Sequence, residues 1–239
     1  MALPLDDAAK RAIDVHARLL IAWNAAINLT ALREPEQIAR NHVLDSLLAV
    51  PVLAARGPRS ILDLGSGGGF PGLPLAAAMP VDRVALVDSI GKKAKFLEVA
   101  AAAVHTAMEE PGAPAPEITA IAERSEDLAD DADHREAFDL VVARAVGSVA
   151  EVAELGLPLT AVDGHVAMWK RDAGDGALKE ELAGAARITQ AAGGGPARVV
   201  ALAAAQRVGL EGHCLVVVEK LRPTPDRYPR PASERRRPK

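Results

Sequence analysis

Between residues 57 and 170, short β-branched runs alternate with longer alanine-rich stretches of helical period. The runs fall at 60–64, 83–87 ("RVALV"), 117–121 ("EITAI"), 138–143 ("FDLVVA") and 164–169 ("GHVAMW"). Helical stretches at 71–79, 91–107, 148–157 and 176–191 lie between and after them. Strands linked through helices in this way pair in parallel, with helices on both faces of the sheet. Upstream, residues 6–23 hold Ala9, Ile13, Leu19, Leu20 and Trp23 at helical spacing. A polar loop follows, then a second helix over roughly 35–55 whose buried stripe is Ile38, Val43, Leu44, Leu47 and Leu48. Downstream, "ARVVALAAAQ" and "HCLVVVEKLR", joined by a short Gly-containing turn, predict an antiparallel hairpin that closes the sheet. The stretch "EEPGAPAPE" (109–117) predicts a flexible surface connection. The pattern therefore divides the chain into an N-terminal helical extension packed on the core (1–56), an α/β core (57–222) and a flexible tail (223–239).

Composition narrows the setting. At 239 residues the chain is long enough to bury one substantial core. No apolar run approaches the eighteen or so residues of a membrane span, and the N-terminus has acids before its bases and no cleavable apolar segment. One cysteine, Cys214, excludes an internal disulfide or a multi-cysteine zinc site, so no metal is expected and a cytoplasmic location is. Net charge is −4, unevenly spread: from Lys220 onward eight Lys/Arg stand against two Asp/Glu, a local +6 that leaves −10 for residues 1–219. A basic end on an acidic body suggests a polyanionic partner; the plain alternative is a solvated terminus.

The densest chemistry lies in "DLGSGGGFPG" (63–72), five glycines in ten residues between a predicted strand and a predicted helix. That arrangement offers backbone N–H groups and a surface without Cβ atoms to a nucleotide. The dinucleotide fingerprint G-x-G-x-x-G fails here, because counting from Gly65 and Gly67 the third glycine position is Phe70. Instead Asp63, Gly65, Gly67 and Gly69 form D-x-G-x-G-x-G, resembling the first motif of S-adenosylmethionine-dependent methyltransferases. That cofactor has no pyrophosphate, and its methionine half is cationic, so an acid nearby is tolerated. At the end of the second strand, 25 residues on, Asp88 either accepts the two ribose hydroxyls of adenosine or caps the next helix. Ala122 and Glu123, just past the third strand, stand where this class grips adenine.

The acceptor is narrowed by what is missing. Pyrimidine C5 methylation normally needs a cysteine nucleophile, and Cys214 falls inside a predicted buried strand. The Asp/Asn-Pro-Pro-aromatic motif of exocyclic amine methylation is absent after the fourth strand, where "VVARAVGS" stands. An acceptor with a ready lone pair and no proton to lose, such as guanine N7, requires alignment and exclusion of water but no general base.

Seven segments in order make the resemblance specific: "NLTAL" (28–32), "RNHVLDSL" (40–47), "LDLGSGGGFPGLPLA" (62–76), "KKAKFL" (92–97), "AERSEDL" (122–128), "ARAV" (143–146) and "PTPDRYPR" (223–230). Together they resemble the bacterial ribosomal RNA small-subunit methyltransferase G family over roughly residues 20–230. The resemblance implies a Rossmann-like class I S-adenosylmethionine-dependent methyltransferase fold, with a mostly parallel seven-stranded sheet, a C-terminal antiparallel hairpin and an N-terminal helical extension. It also implies methyl transfer to N7 of a guanine in 16S rRNA, with the rRNA or the small ribosomal subunit as partner; a monomer is expected. Carried over by position, Gly65, Phe70, Ala122, Glu123 and Arg144 become cofactor contacts. Asn28, Thr30, Arg40, His42, Asp45 and Ser46 belong to the N-terminal motifs. Asn28, His42 and Arg144 are the candidates for aligning the acceptor. His42 and Asp45, three apart on a helix, are spaced to bond each other.

RNA contact is expected from Arg40, His42, Lys92, Lys93, Lys170 and Arg230; solvated or helix-packing roles stand beside it for each. The ending "PASERRRPK" departs from the family's glycine-and-lysine terminus. Two other readings compete. A small-molecule methyltransferase would need a bulky apolar roof, for which 3% aromatics is little material. A non-catalytic nucleotide-binding or NAD-dependent protein is disfavoured by Phe70.

Overall fold

In the computed structural model, which describes residues 5–110 and 114–235, the sheet runs β3-β2-β1-β4-β5-β7-β6. The strands are β1 (Ser60–Leu64), β2 (Arg83–Val87), β3 (Glu117–Ile121), β4 (Phe138–Arg144), β5 (Thr160–Arg171), β6 (Arg198–Ala201) and β7 (His213–Glu219). β3, β2, β1, β4 and β5 pair in parallel, whereas β7 is antiparallel to both β5 and β6. This is the mostly parallel seven-stranded architecture that the alternating runs predict.

Side-chain alternation along the strands builds two cores. Ile61, Val84, Leu86, Leu140, Val142, Leu215 and Val217 point to one face, against helices α1 (Asp7–Ile27), α5 (Gly72–Ala78) and α6 (Gly91–Met108). Leu62, Leu64, Ala85, Val87, Val141, Val216 and Val218 point to the other, where α7 (Ser125–Asp130), α8 (Val149–Gly156) and α9 (Ala177–Ala191) lie. All five residues of β1 are buried, as expected of a central parallel strand covered on both sides. Strand order reverses between β1 and β4. A crevice outside the carboxyl ends of β1, β2 and β4 follows from that reversal.

Two expectations are corrected. The helix read over 35–55 is broken into α2 (Pro35–Ile38), α3 (Asp45–Leu47) and α4 (Val50–Ala54), with a wider π-turn at Ala39–Leu44. Pro51 inside the first turn of α4 forces a new start, since it has no N–H to continue the preceding turn. The link between β6 and β7 is not a short turn: residues 202–212 include a turn of 3₁₀ helix at Ala205–Val208. Leu202, Ala205 and Leu210 in that link are buried in the first core, which periodicity over so few residues does not reveal. Of the Pro-rich connection at 109–117, residues 111–113 lie outside the described residues.

The C-terminal segment also differs from a free tail, as far as residue 235. Tyr228 is buried in the second core, and the short helix α10 (Ala232–Arg235) follows it. Residues 236–239 lie outside the described part.

Candidate active site

The glycine loop leaves β1 with Ser66 N–H on the Val87 carbonyl (2.9 Å) and Ser66 Oγ donating to the Asp63 carbonyl (2.8 Å). Gly65 and Gly69 adopt left-handed φ of +72° and +83°. A Cβ on Gly65 would stand 2.8 Å from Val146 Cγ2, and one on Gly69 would meet Leu73 Cδ1 at 2.6 Å. Over Gly67 (φ +56°) the nearest such contact is 3.8 Å away, so the loop is open there. Glycine is required at 65 and 69 by both torsion and space.

Asp63 sits beneath this loop, fully buried. Its Oδ2 accepts the Gly72 N–H at the start of α5 (2.8 Å), and its Oδ1 is buried without a partner among the described residues. Burial pushes its pKa up to about 7 against the pull of the Gly72 and Ser66 hydrogen bonds. Its carboxyl therefore organises the loop from below, and is not free at the loop's surface. In the folded chain the proton is held up to about pH 7, while an unfolded chain releases it near the ordinary 3.8. Stability attributable to this group must fall as pH rises from about 4 to about 7. An Asp63→Asn variant should therefore gain on the wild type across that window, by up to about 4 kcal/mol. Urea unfolding of both proteins at pH 4.5 and 7.5 would show it, and an unchanging difference would refute it.

Asp88 ends β2 with both carboxylate oxygens in use. Oδ2 accepts Gly67 N–H (3.0 Å), Oδ1 accepts Ile90 N–H (2.9 Å), and Lys93 Nζ stands 4.0 Å away. It thus ties the loop to the start of α6, and each oxygen keeps a further lone pair. Around it lies a depression of about 190 Å³, lined by Gly65, Val87, Glu123 and Val146 among others. Four carboxylates line it (Asp88, Glu123, Glu126 and Glu151) against two arginines, Arg124 and Arg235. Ala122 is exposed just before Glu123 and is not part of this lining.

On the other side of the loop the N-terminal helices make a buried polar cluster. Arg144, at the end of β4, donates to the Asn41 carbonyl (3.2 Å), to Asp45 Oδ2 (3.2 Å) and to His42 Nδ1 (3.2 Å). Because a guanidinium only donates, His42 Nδ1 is the acceptor and Nε2–H donates to Thr30 Oγ1 (2.7 Å). Burial, reinforced by the Arg144 charge, lowers the His42 pKa to about 4, so the ring is neutral at neutral pH. Phe70 is sandwiched by His42 (centroids 4.9 Å) and His16 (4.4 Å), with Arg144 over its ring at 5.3 Å. The expected His42 to Asp45 pairing does not form. Asp45 takes Arg144 and His213 Nδ1 (2.8 Å) instead, while its carbonyl accepts Trp169 Nε1 (3.1 Å).

Other expected residues serve the scaffold. Asn28 is exposed in the left-handed region (φ 53°), ending α1 and accepting Arg33 Nη2 (3.1 Å). Ser46 donates to the His42 carbonyl (2.7 Å). Two of the expected RNA-facing cations are committed to carboxylates: Lys170 to Glu181 (2.7 Å) and the Gly147 carbonyl, and Arg230 to both oxygens of the buried Glu154 (2.7 and 2.6 Å). Arg40 and Lys92 remain exposed, and Lys93 is half-buried. Cys214 is buried with its pKa raised by burial and faces the second core, remote from a nucleophile's requirements.

Sequence reasoning missed His16, Asn24 and His213. His16, fully buried on α1, donates from Nε2 to the Gly68 carbonyl (2.7 Å) and so bolts α1 to the loop. Asn24 receives Thr30 N–H (2.9 Å) and donates to the Leu32 carbonyl (3.1 Å), holding the 28–32 segment. For His16 and Asn24 the available signal was a polar residue on the buried face of α1; His213, at the start of β7, left none.

Residues 9–208 match the family model described as rRNA small subunit methyltransferase G. Among relatives named ribosomal RNA small subunit methyltransferase G, that of Roseiflexus sp. (strain RS-1) is 38% identical, over 92% of this chain and 88% of the relative. That of Brevibacillus brevis is 32% identical, over 96% and 90%. In fold, the chain is similar to the O-methyltransferase from Bacillus cereus in complex with S-adenosylhomocysteine (TM-score 0.51, 16% identity, 91% and 92% covered). It is also similar to the S-adenosylmethionine-dependent methyltransferase SibL (TM-score 0.53, 17% identity, 90% and 70% covered).

Proposed function

The chain belongs to the ribosomal RNA small-subunit methyltransferase G family, and from that premise we propose that it transfers a methyl group from S-adenosylmethionine to N7 of a guanine in 16S rRNA. The observation that carries the cofactor half is the acid-lined crevice at the loop. Asp88, Glu123, Glu126 and Glu151 would repel a pyrophosphate, but they tolerate a neutral nucleoside and attract a cationic sulfonium. The residues fit the group: Gly67 leaves an open cradle, and Asp88 keeps lone pairs for the ribose hydroxyls. Gly65, Gly67 and Gly69 would lie against the methionine half, with Ala122 and Glu123 on the adenine side. When bound, S-adenosylmethionine supplies an electrophilic methyl group on sulfur.

Against that methyl group, this chain's residues supply position. His42 is neutral with Nδ1 occupied by Arg144 and its N–H given to Thr30, so no free base faces the crevice from it. A nitrogen acceptor with a ready lone pair, such as guanine N7, fits a site of that kind. Arg144 and the His42–Phe70 stack form a rigid wall between the N-terminal helices and the loop, suited to orienting a base. Phe70 contributes to that wall, since its ring is spent between His16 and His42. Of the cations expected to face RNA, Arg40, Lys92 and Lys93 are those left to meet phosphates.

Methylation of rRNA from a strain lacking the gene, followed by mapping of the product, tests the whole reading. A product on any atom other than guanine N7 refutes the acceptor. Asp88→Ala should weaken S-adenosylmethionine binding by about 1–3 kcal/mol, the range for lost charge-assisted hydrogen bonds. An analogue lacking the ribose hydroxyls should lose little more in that variant. Equal losses for that analogue in variant and wild type would leave Asp88 as a helix cap alone.

A further inference from the structure

The C-terminal segment crosses the molecule under strict control. Lys220, fully buried, donates to Glu136, to the Leu157 and Thr160 carbonyls and to Thr224 Oγ1. Arg135 then holds the carbonyls of Thr224 (3.1 Å) and Tyr228 (3.2 Å), and Arg230 forks onto Glu154. This path delivers α10 to the mouth of the acid-lined crevice, where Ala232 and Arg235 join Gly65, Asp88 and Glu123 in lining it.

Arg235 is the unusual member. Its side chain is only 9% exposed, Nη1 donates to the Arg230 carbonyl (2.6 Å) and Nη2 pairs with Glu126. The third donor, Nε, is buried with no partner among the described residues. Burial would raise the pKa of Glu126, yet the hydrogen bond and charge of Arg235 hold it below the usual carboxylate range. A segment that served only to cover the core would bury apolar groups there. Leaving a guanidinium N–H unmet is costly, and such a group at the wall of a crevice is best explained by an acceptor that arrives with the ligand.

We propose that Arg235 is a cofactor-positioning residue, carried by the 224–235 strap to the adenosine side of the crevice, where Nε donates to a ring nitrogen of the adenine. The inference rests on the cofactor reading above. It assigns the basic end a role inside the cofactor site, since Arg230 and Arg235 are withdrawn from the solvent. The adenine edge offers acceptors only at its ring nitrogens, which a fixed guanidinium N–H can select by direction.

Calorimetry with S-adenosylhomocysteine and with 5′-methylthioadenosine, which keeps the adenosine and lacks the amino-acid half, tests it on the full-length chain. Arg235→Met keeps the apolar stem and removes the donors, so it should bind both ligands about tenfold more weakly, with Tm little changed. Arg235→Lys keeps the charge near Glu126 without the directed N–H, and should lose nearly as much. Unchanged binding by Arg235→Met, full rescue by Arg235→Lys, or a loss confined to S-adenosylhomocysteine each overturns the assignment. Failure of the wild type to bind either ligand would overturn the cofactor reading and this inference with it, whereas equal binding by wild type and variants would sink the inference alone.

Discussion

Replacing Gly65 with valine should weaken S-adenosylmethionine binding by about a hundredfold or more while the sheet survives. Gly65 has φ +72°, a region that a β-branched residue resists, and a Cβ there would stand 2.8 Å from Val146 Cγ2. Val146 lies on the wall of the same crevice, so relief of the clash must move either the loop or the wall. Strain and displacement together should cost about 3 kcal/mol or more in affinity, roughly a hundredfold. The loop lies outside the hydrogen-bonded ladder of β1, whose pairing ends at Leu64, so the strands have no reason to rearrange. Calorimetry beside circular dichroism would decide it; a folded variant with wild-type affinity would show that the ligand does not lie against this loop.

Asp45→Ala should be the most damaging single change to stability. Asp45 is 2% exposed, and its two oxygens answer the Arg144 guanidinium and the His213 ring. Without it Arg144 remains buried and positively charged. The expected loss is about 3 kcal/mol, at the lower end for a broken buried pair because Arg144 keeps the Asn41 and His42 carbonyls. Denaturant unfolding of the variant would measure it, and a change under about 1 kcal/mol would mean the cluster is solvated in a way the geometry denies. Asp45→Asn should lose less, because the amide oxygen still accepts from one of the two donors.

The fold was legible because its cues are local and repeated. Runs such as "RVALV" and "FDLVVA" have strand length and branched side chains, and their observed bounds match within a residue. The glycine loop was legible too, since left-handed torsion and close approach leave a compositional mark. Long-range pairing leaves none. Nothing in the sequence near Lys170 or Arg230 says that Glu181 and Glu154 will meet them, so both looked like solvent cations. The same blindness hid the His16 to Gly68 bond and made Asp63 look like a surface group of the loop, when its carboxyl is turned beneath it. The 202–212 link was misjudged because its buried residues are too few for any period to show.

The Asp45 cluster also bears on the order in which the chain folds. Its two side-chain partners are far from it in sequence: Arg144 is 99 residues from Asp45, and His213 is 168. Desolvating Asp45 gains nothing until both have arrived, so the N-terminal helices have no stable seat before β4 is paired and β7 is in the sheet. Closing such long loops carries its entropy cost ahead of its reward, which makes the step slow. The wall proposed to orient a base thus matures last, and an incompletely folded chain presents a sheet without it. In a refolding experiment, hydrogen exchange should protect the β1 and β4 amides before those of Asn24 to Ser46, with methyl transfer returning only in the later phase.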